Sequence, residues 1–215
     1  MKAERSIERS IDSLQRIYAV IVALAINESM KRFFLKGGQD FVLPSTHWPE
    51  FIAFMFTSVP FLHGMNRHLD RTLSEVQITG RRWLLVYLLI DFGFFLAEGC
   101  LFFSLASTVN TGLPFFENLL YLLLIDVIWA IVTLPVSRTI SRKWIAINLA
   151  VSAFIITVVF DLTPFALTNK TQLLAAVAIL RTIMDYWFGW NFYFPPEDDP
   201  SLASDPPLRL AIRKI

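Results

Sequence analysis

Five ionisable residues of this sequence stand inside long apolar runs. Asp91 and Glu98 fall in the run from 83 to 106, Asp126 in the run from 114 to 137, and Arg181 with Asp185 in the run from 172 to 194. A charge at the centre of a bilayer is costly, so residues kept there face a bundle interior or a wet cavity and are paired or functional. Asp91 and Glu98 are two helical turns apart, on one face, roughly 10 Å from each other along the axis. Arg181 and Asp185 are spaced i to i+4 and can pair within one helix. If the third and fourth runs pack antiparallel across the short loop at 110–114, Asp91 and Asp126 come to similar depth. Four acids then face one obvious base, and Glu28 is a further candidate. Burial disfavours a charged carboxyl unless an opposite charge is near, so the surplus has to be protonated, hydrated or matched by a cation. A path for protons or small cations would use that surplus. The simpler role is a buried network in which Arg181 neutralises Asp126, Asp91 or Asp185 and fixes which helices pair.

The elements that must position these residues are membrane helices. The chain of 215 residues is 55% hydrophobic and 17% charged, against about 45–50% and 25% in an ordinary soluble domain. A spanning helix needs about 20 apolar residues, and that window gives six candidates: 14–35, 48–66, 83–106, 114–137, 144–163 and 172–194. The expected fold is an all-α polytopic bundle of about six transmembrane helices. The alternative is a four-span core with the first two segments peripheral, because the first run soon meets Asn27, Glu28, Lys31 and Arg32, and the second carries Pro60.

Lys and Arg gather in the N-terminal arm, after the second span (Arg67, Arg71, Arg81, Arg82), after the fourth (Arg138, Arg142, Lys143) and in the tail (Arg209, Arg213, Lys214). Cytoplasmic loops retain such residues, so both termini are expected in the cytoplasm, with the chain in the plasma (inner) membrane. Lys31, Arg32 and Lys36 are the exception. Trp48, Trp83, Trp144, Trp187 and Trp190 fall near span ends, where amphipathic rings meet the headgroups. Ser45 and Thr46 before Pro49 and Glu50 read as a helix start.

Residues 1–13 form an amphipathic arm, with Ile7, Ile11, Leu14 and Tyr18 on one stripe; it is expected to continue into the first span. A signal peptide competes, but the arm's three acids are atypical of one. Residues 14–194 form the membrane domain and 195–215 a Pro/acidic linker with a basic tail suited to lipid or a cytosolic protein partner. The segment PFLHGMNRHLDR holds His63, Arg67, His68 and Arg71. It reads as a solvated helix end, with pH sensing or partner docking as its functional alternative. His63 and His68, five residues apart, lie on different faces and are poor joint ligands. Gly93-x-x-x-Ala97 and Ala146-x-x-x-Ala150 allow close helix approach.

No cofactor and no metal are expected: the lone Cys100 forms no cluster, three histidines show no ligand spacing, and no second histidine lies at matching depth for haem. The near-neutral charge excludes a nucleic-acid partner, and no positioned nucleophile suggests an enzyme. Two functions remain. One is a channel-like or transport subunit, a homo-oligomer passing protons or small cations along Asp91, Glu98, Asp126, Arg181 and Asp185. The other is a non-transporting scaffold or sensor that signals to a cytosolic protein.

Overall fold

The structure, a computed structural model, describes residues 2–36, 40–41, 46–79, 81–133, 142–162 and 169–195. Among the described residues the chain is all-helical apart from one two-residue antiparallel pairing. Its elements are α1 (Lys2–Phe34), β1 (Leu35–Lys36), β2 (Asp40–Phe41), α2 (Trp48–Thr79), α3 (Arg81–Ser107), α4 (Leu113–Thr133), α5 (Arg142–Val159), α6 (Lys170–Phe188) and α7 (Trp190–Tyr193). α1 packs on α2 and α3, α3 on α4, α4 on α5, α5 on α6, and α6 on α2. The six long helices therefore close a ring in the order α1, α3, α4, α5, α6, α2.

Three stretches, Leu88–Ser107, Leu113–Thr133 and Arg142–Val159, are long and apolar enough to cross a membrane. α1, α2 and α6 carry more polar residues, yet the outward faces of their middle turns are apolar, while α1 exposes Arg9, Asp12, Arg16, Lys31 and Arg32 toward its two ends. Ile17, Val20 and Leu24 are exposed on α1, Ile52, Phe56 and Val59 on α2, and Leu180, Ile183 and Trp187 on α6. Meanwhile Asp91, Glu98, Asp126, Asn148, Arg181 and Asp185 are buried. This is the reverse of a water-soluble bundle, whose charged face looks outward.

Local chemistry sets the element boundaries. α1 runs unbroken from Lys2, so the amphipathic arm and the first apolar run are one helix. α2 starts at Trp48 with Glu50 in its first turn. It passes its expected end near 66 and continues to Thr79, since no Gly or Pro interrupts 67–79 and Leu69 is buried. α3 and α4 meet in a hairpin where Gly112 takes φ +77, a backbone conformation natural to glycine. Ser104 Oγ donates to Asn118 Oδ1 at 2.8 Å and Asn118 Nδ2 to Thr108 Oγ1 at 3.2 Å, pinning the two helix ends together. The run expected over 172–194 is not one helix: it breaks at Gly189, whose N–H donates to Asp185 O at 2.8 Å, and turns into α7.

Pro60 lies inside α2. It has no N–H to give to the carbonyl of Phe56, one turn earlier. Thr182 Oγ1 of α6 fills that place, donating to Phe56 O at 3.0 Å. A sequence defect in one helix thus becomes a bond between two.

The small-residue seams sit elsewhere than expected. A Cβ on Gly93 would meet nothing within 4 Å, and Ala146 and Ala150 are exposed. The close approach occurs at Gly99, where a Cβ would lie 2.8 Å from Ile21 Cγ2, so α1 and α3 come this near at Ile21 because that position is glycine. The tail residues Arg209, Arg213 and Lys214, the basic Arg138, the side chains of Arg81 and Arg82, and Ile7 of the arm lie outside the described residues.

Candidate functional site

Asp91, Glu98, Asp126, Arg181 and Asp185 turn inward in two clusters of different character, while the buried Glu50 lies apart beside His47. The first is built on Asp91 of α3. Trp129 Nε1 of α4 donates to Asp91 Oδ1 at 2.9 Å, and His68 Nε2 of α2 lies 3.1 Å from Oδ2. Both carboxylate oxygens are matched, and the His68 ring stands edge-on to Trp129 with centroids 4.7 Å apart. Arg181 is therefore not the partner of Asp91, as the charge count allowed; a histidine and an indole take that place. The geometry follows from register. In the antiparallel α3–α4 pair Asp91 comes level with Trp129, which leaves Asp126 three residues, about 4.5 Å, further along α4.

The second cluster centres on Arg181 of α6. Its Nη2 is 3.9 Å from Asp126 Oδ2 and its Nη1 is 3.6 Å from Asp185 Oδ2. Its Nε donates to Asn148 Oδ1 of α5 at 3.0 Å, and the guanidinium lies 5.1 Å from the centroid of Phe61. Both ion-pair distances exceed the usual N–H···O range of about 2.7–3.2 Å. The pairs are loose, and they leave Arg181 Nη1 and Asp185 Oδ1 buried without a hydrogen-bonding partner. Asp185 Oδ2 accepts from the Tyr193 hydroxyl at 3.0 Å. Glu98 sits across the same space and accepts from Tyr18 of α1 at 3.1 Å.

Between these groups lies a cavity of about 90 Å³. Glu98, Asp126, Asp185, Arg181 and His68 reach it, and Phe61, Phe95, Trp129, Trp144 and Tyr193 form much of its wall. At one end it is capped by α7. Arg67 Nε donates to Phe192 O at 3.2 Å and Arg71 Nη2 to Asn191 O at 3.1 Å. Tyr193 packs against His63 and Tyr186 with centroids 4.9 and 4.5 Å away. Gly189 makes the turn possible, since a Cβ there would come within 2.8 Å of Asp185 O and 3.0 Å of the Tyr193 ring.

The segment holding His63, Arg67, His68 and Arg71 is thus not a solvated helix end. α2 continues to Thr79, so the segment is mid-helix, with His68 buried against Asp91 while the half-buried Arg67 and Arg71 seat α7. His63 and His68 face different partners: His63 Nδ1 is 3.3 Å from the Tyr186 hydroxyl. Glu28 stays out of the chamber, paired locally with Arg32 at 2.7 Å on a part-exposed surface of α1. Tyr18, Trp129, Asn148 and Tyr193 complete the site, although their sequence context gives little sign of it. Only Trp129 carried a signal, as the one tryptophan remote from a span end.

Chemically, loosely matched carboxyls beside a cavity can gain and release a proton, or hold water or a cation. Among the described residues, no three of His, Cys, Asp and Glu gather as a metal-binding group. Searches of family models, curated proteins and solved structures find no match to this chain.

Proposed function

We propose that this protein is a membrane-embedded transport subunit that passes protons or small cations through the chamber inside its six-helix ring. The observation that carries this reading is the convergence of Glu98, Asp126 and Asp185, from three helices, on one cavity with Arg181 as their loosely placed counter-charge. The three chamber acids Glu98, Asp126 and Asp185 have one arginine among them, and a purely structural network would match them more closely.

On this reading all six long helices cross the bilayer. α1, α2 and α6 do so with polar faces turned into the ring and apolar faces toward lipid. Both termini and the α7 cap lie on the cytoplasmic side of the plasma (inner) membrane, as the arrangement of basic residues favours. The outward-facing small residues Gly93, Ala146 and Ala150 suit contact between copies in a homo-oligomer.

The test is flux. Proteoliposomes loaded with a pH-sensitive or cation-sensitive dye should leak when they contain the wild-type protein. Asp126→Asn with Glu98→Gln should abolish the leak while the protein stays folded in the membrane. No flux from well-folded wild-type protein, under either gradient, removes this reading. It leaves the scaffold or sensor reading, in which the chain signals to a cytosolic protein.

A further inference from the structure

The loose ends of the Arg181 cluster identify what the chamber accommodates. Arg181 Nη1 is a donor and Asp185 Oδ1 an acceptor; both are buried without a protein partner, and they belong to groups in mutual contact, Nη1 lying 3.6 Å from Oδ2. Buried polar atoms are almost always hydrogen-bonded. One molecule that both accepts and donates satisfies the pair, and water is the smallest that does. A cavity of about 90 Å³ has room for several, since one water needs about 10–15 Å³.

A metal or organic cation suits the chamber less well. Arg181 already stands among the carboxyls, 3.9 Å from Asp126 and 3.6 Å from Asp185, so a second cation would enter against a like charge. No metal-binding trio exists among the described residues. A proton needs neither a coordination shell nor the removal of the arginine, because it neutralises a carboxylate by bonding to it.

Resting on the transport reading above, we propose that the species taken up by the chamber is the proton, held on Asp126 or Asp185 beside a small water cluster, and that it exchanges past the Gly189–Tyr193 cap. In uptake one O–H bond forms between a solvent proton and a carboxylate oxygen, and the chamber gains one positive charge. Release breaks that bond and returns the proton to solvent. The groups that face Asp185 are Arg181 and Tyr186 on its own helix, Tyr193 on α7, the Trp144 indole on α5 and Asp126 on α4, with His63 of α2 behind Tyr193. Asp126 faces Arg181 and Asp185, with Glu98 and Tyr18 across the cavity. The cap is held by the donations of Arg67 and Arg71 to the carbonyls of Phe192 and Asn191. Loosening those contacts should open the route.

The experiment is infrared difference spectroscopy on the purified full chain in detergent, after a pH step and in deuterated solvent. The wild-type protein should show carboxyl bands that rise and fall with pH, and Asp126→Asn and Asp185→Asn should each remove part of that signal. Arg67→Ala with Arg71→Ala should speed deuterium exchange of the bands by about five- to a hundredfold, the factor that two lost hydrogen bonds give an opening equilibrium. Parallel melting curves use sodium, calcium and methylammonium as probes. Saturable stabilisation by any of them, with unmoved carboxyl bands, overturns the inference in favour of that cation. Bands of the wild-type protein that ignore pH overturn it outright, even if both Asn variants fail to fold. An unchanged exchange rate in the arginine variant overturns the route. The readout needs no membrane gradient. Protein that binds protons but passes none therefore keeps this inference and loses the transport reading.

Discussion

Asp91 and Asp185 are buried to nearly the same degree, 1% and 3% exposed, yet their surroundings differ in kind. Asp91 has a donor for each oxygen, from two different helices, and lies in an aromatic enclosure of Trp129, His68 and Phe95. Asp185 has a firm donor in Tyr193, the Trp144 indole beside it, an arginine beyond hydrogen-bond length and one oxygen, Oδ1, without a hydrogen bond. A buried carboxyl matched on all sides fixes a fold, because any movement loses a charge-assisted bond. One matched on a single side can change its protonation or its partner with the backbone in place. Burial alone therefore does not mark a working residue; incomplete matching beside a cavity does.

The comparison breaks most sharply at the counter-charge. Arg181→Met removes the cation shared by Asp126 and Asp185 and should lower stability by about 3–5 kcal/mol, the usual result of leaving half of a buried ion pair behind. Thermal or denaturant unfolding in detergent measures it; a loss under 1 kcal/mol would mean the two acids do not depend on Arg181. Trp129→Phe keeps the ring but deletes the bond to Asp91. It should lower stability by about 1.5–3 kcal/mol, as for a hydrogen bond to a charged group, and leave the pH response of the chamber carboxyls intact. A variant that kept its melting point and lost that response would reverse the roles assigned to the two clusters.

Asp185→Asn sharpens the contrast from the other side. The amide oxygen still accepts from Tyr193 and Arg181 keeps Asp126 as a partner, so the loss of stability should stay below that of Arg181→Met while flux falls. A larger loss of stability with flux retained would make Asp185 a second pin like Asp91. The smallest effect belongs to the surface reference. Arg32→Gln breaks only the part-exposed i to i+4 pair with Glu28. It should cost about 0.2–0.5 kcal/mol, and less in salt.

The acids were legible in the sequence because an ionisable side chain in an apolar run demands a reason, and the i to i+4 step from Arg181 to Asp185 exposed one pairing directly. The partners of Asp91 were not legible. Trp129 looks like any large apolar residue of a span, and His68 lies beyond the expected end of its helix. The closed ring was also hidden, since it rests on α1 meeting α3 and α2 meeting α6, contacts between elements that are not neighbours along the chain. Periodicity reports which face of a helix turns inward, not which helix it meets there. Gly99 shows how little sequence can suffice for such a contact: one absent methyl group lets Ile21 in, while the more conspicuous Gly93 faces open space.

The proline in α2 carries a mechanical consequence. Because Phe56 O accepts its hydrogen bond from Thr182 and not from its own helix, α2 is laced to α6 at the point where Pro60 weakens it. The stretch of α2 beyond Pro60 is therefore held at two points, that knot and the contact of His68 with Asp91. His63, Gly64 and Arg67, which lie between them beneath α7, should give most when the bundle breathes, while the opposite half of α2 stays clamped by the aromatic stack of Phe33 and Phe51.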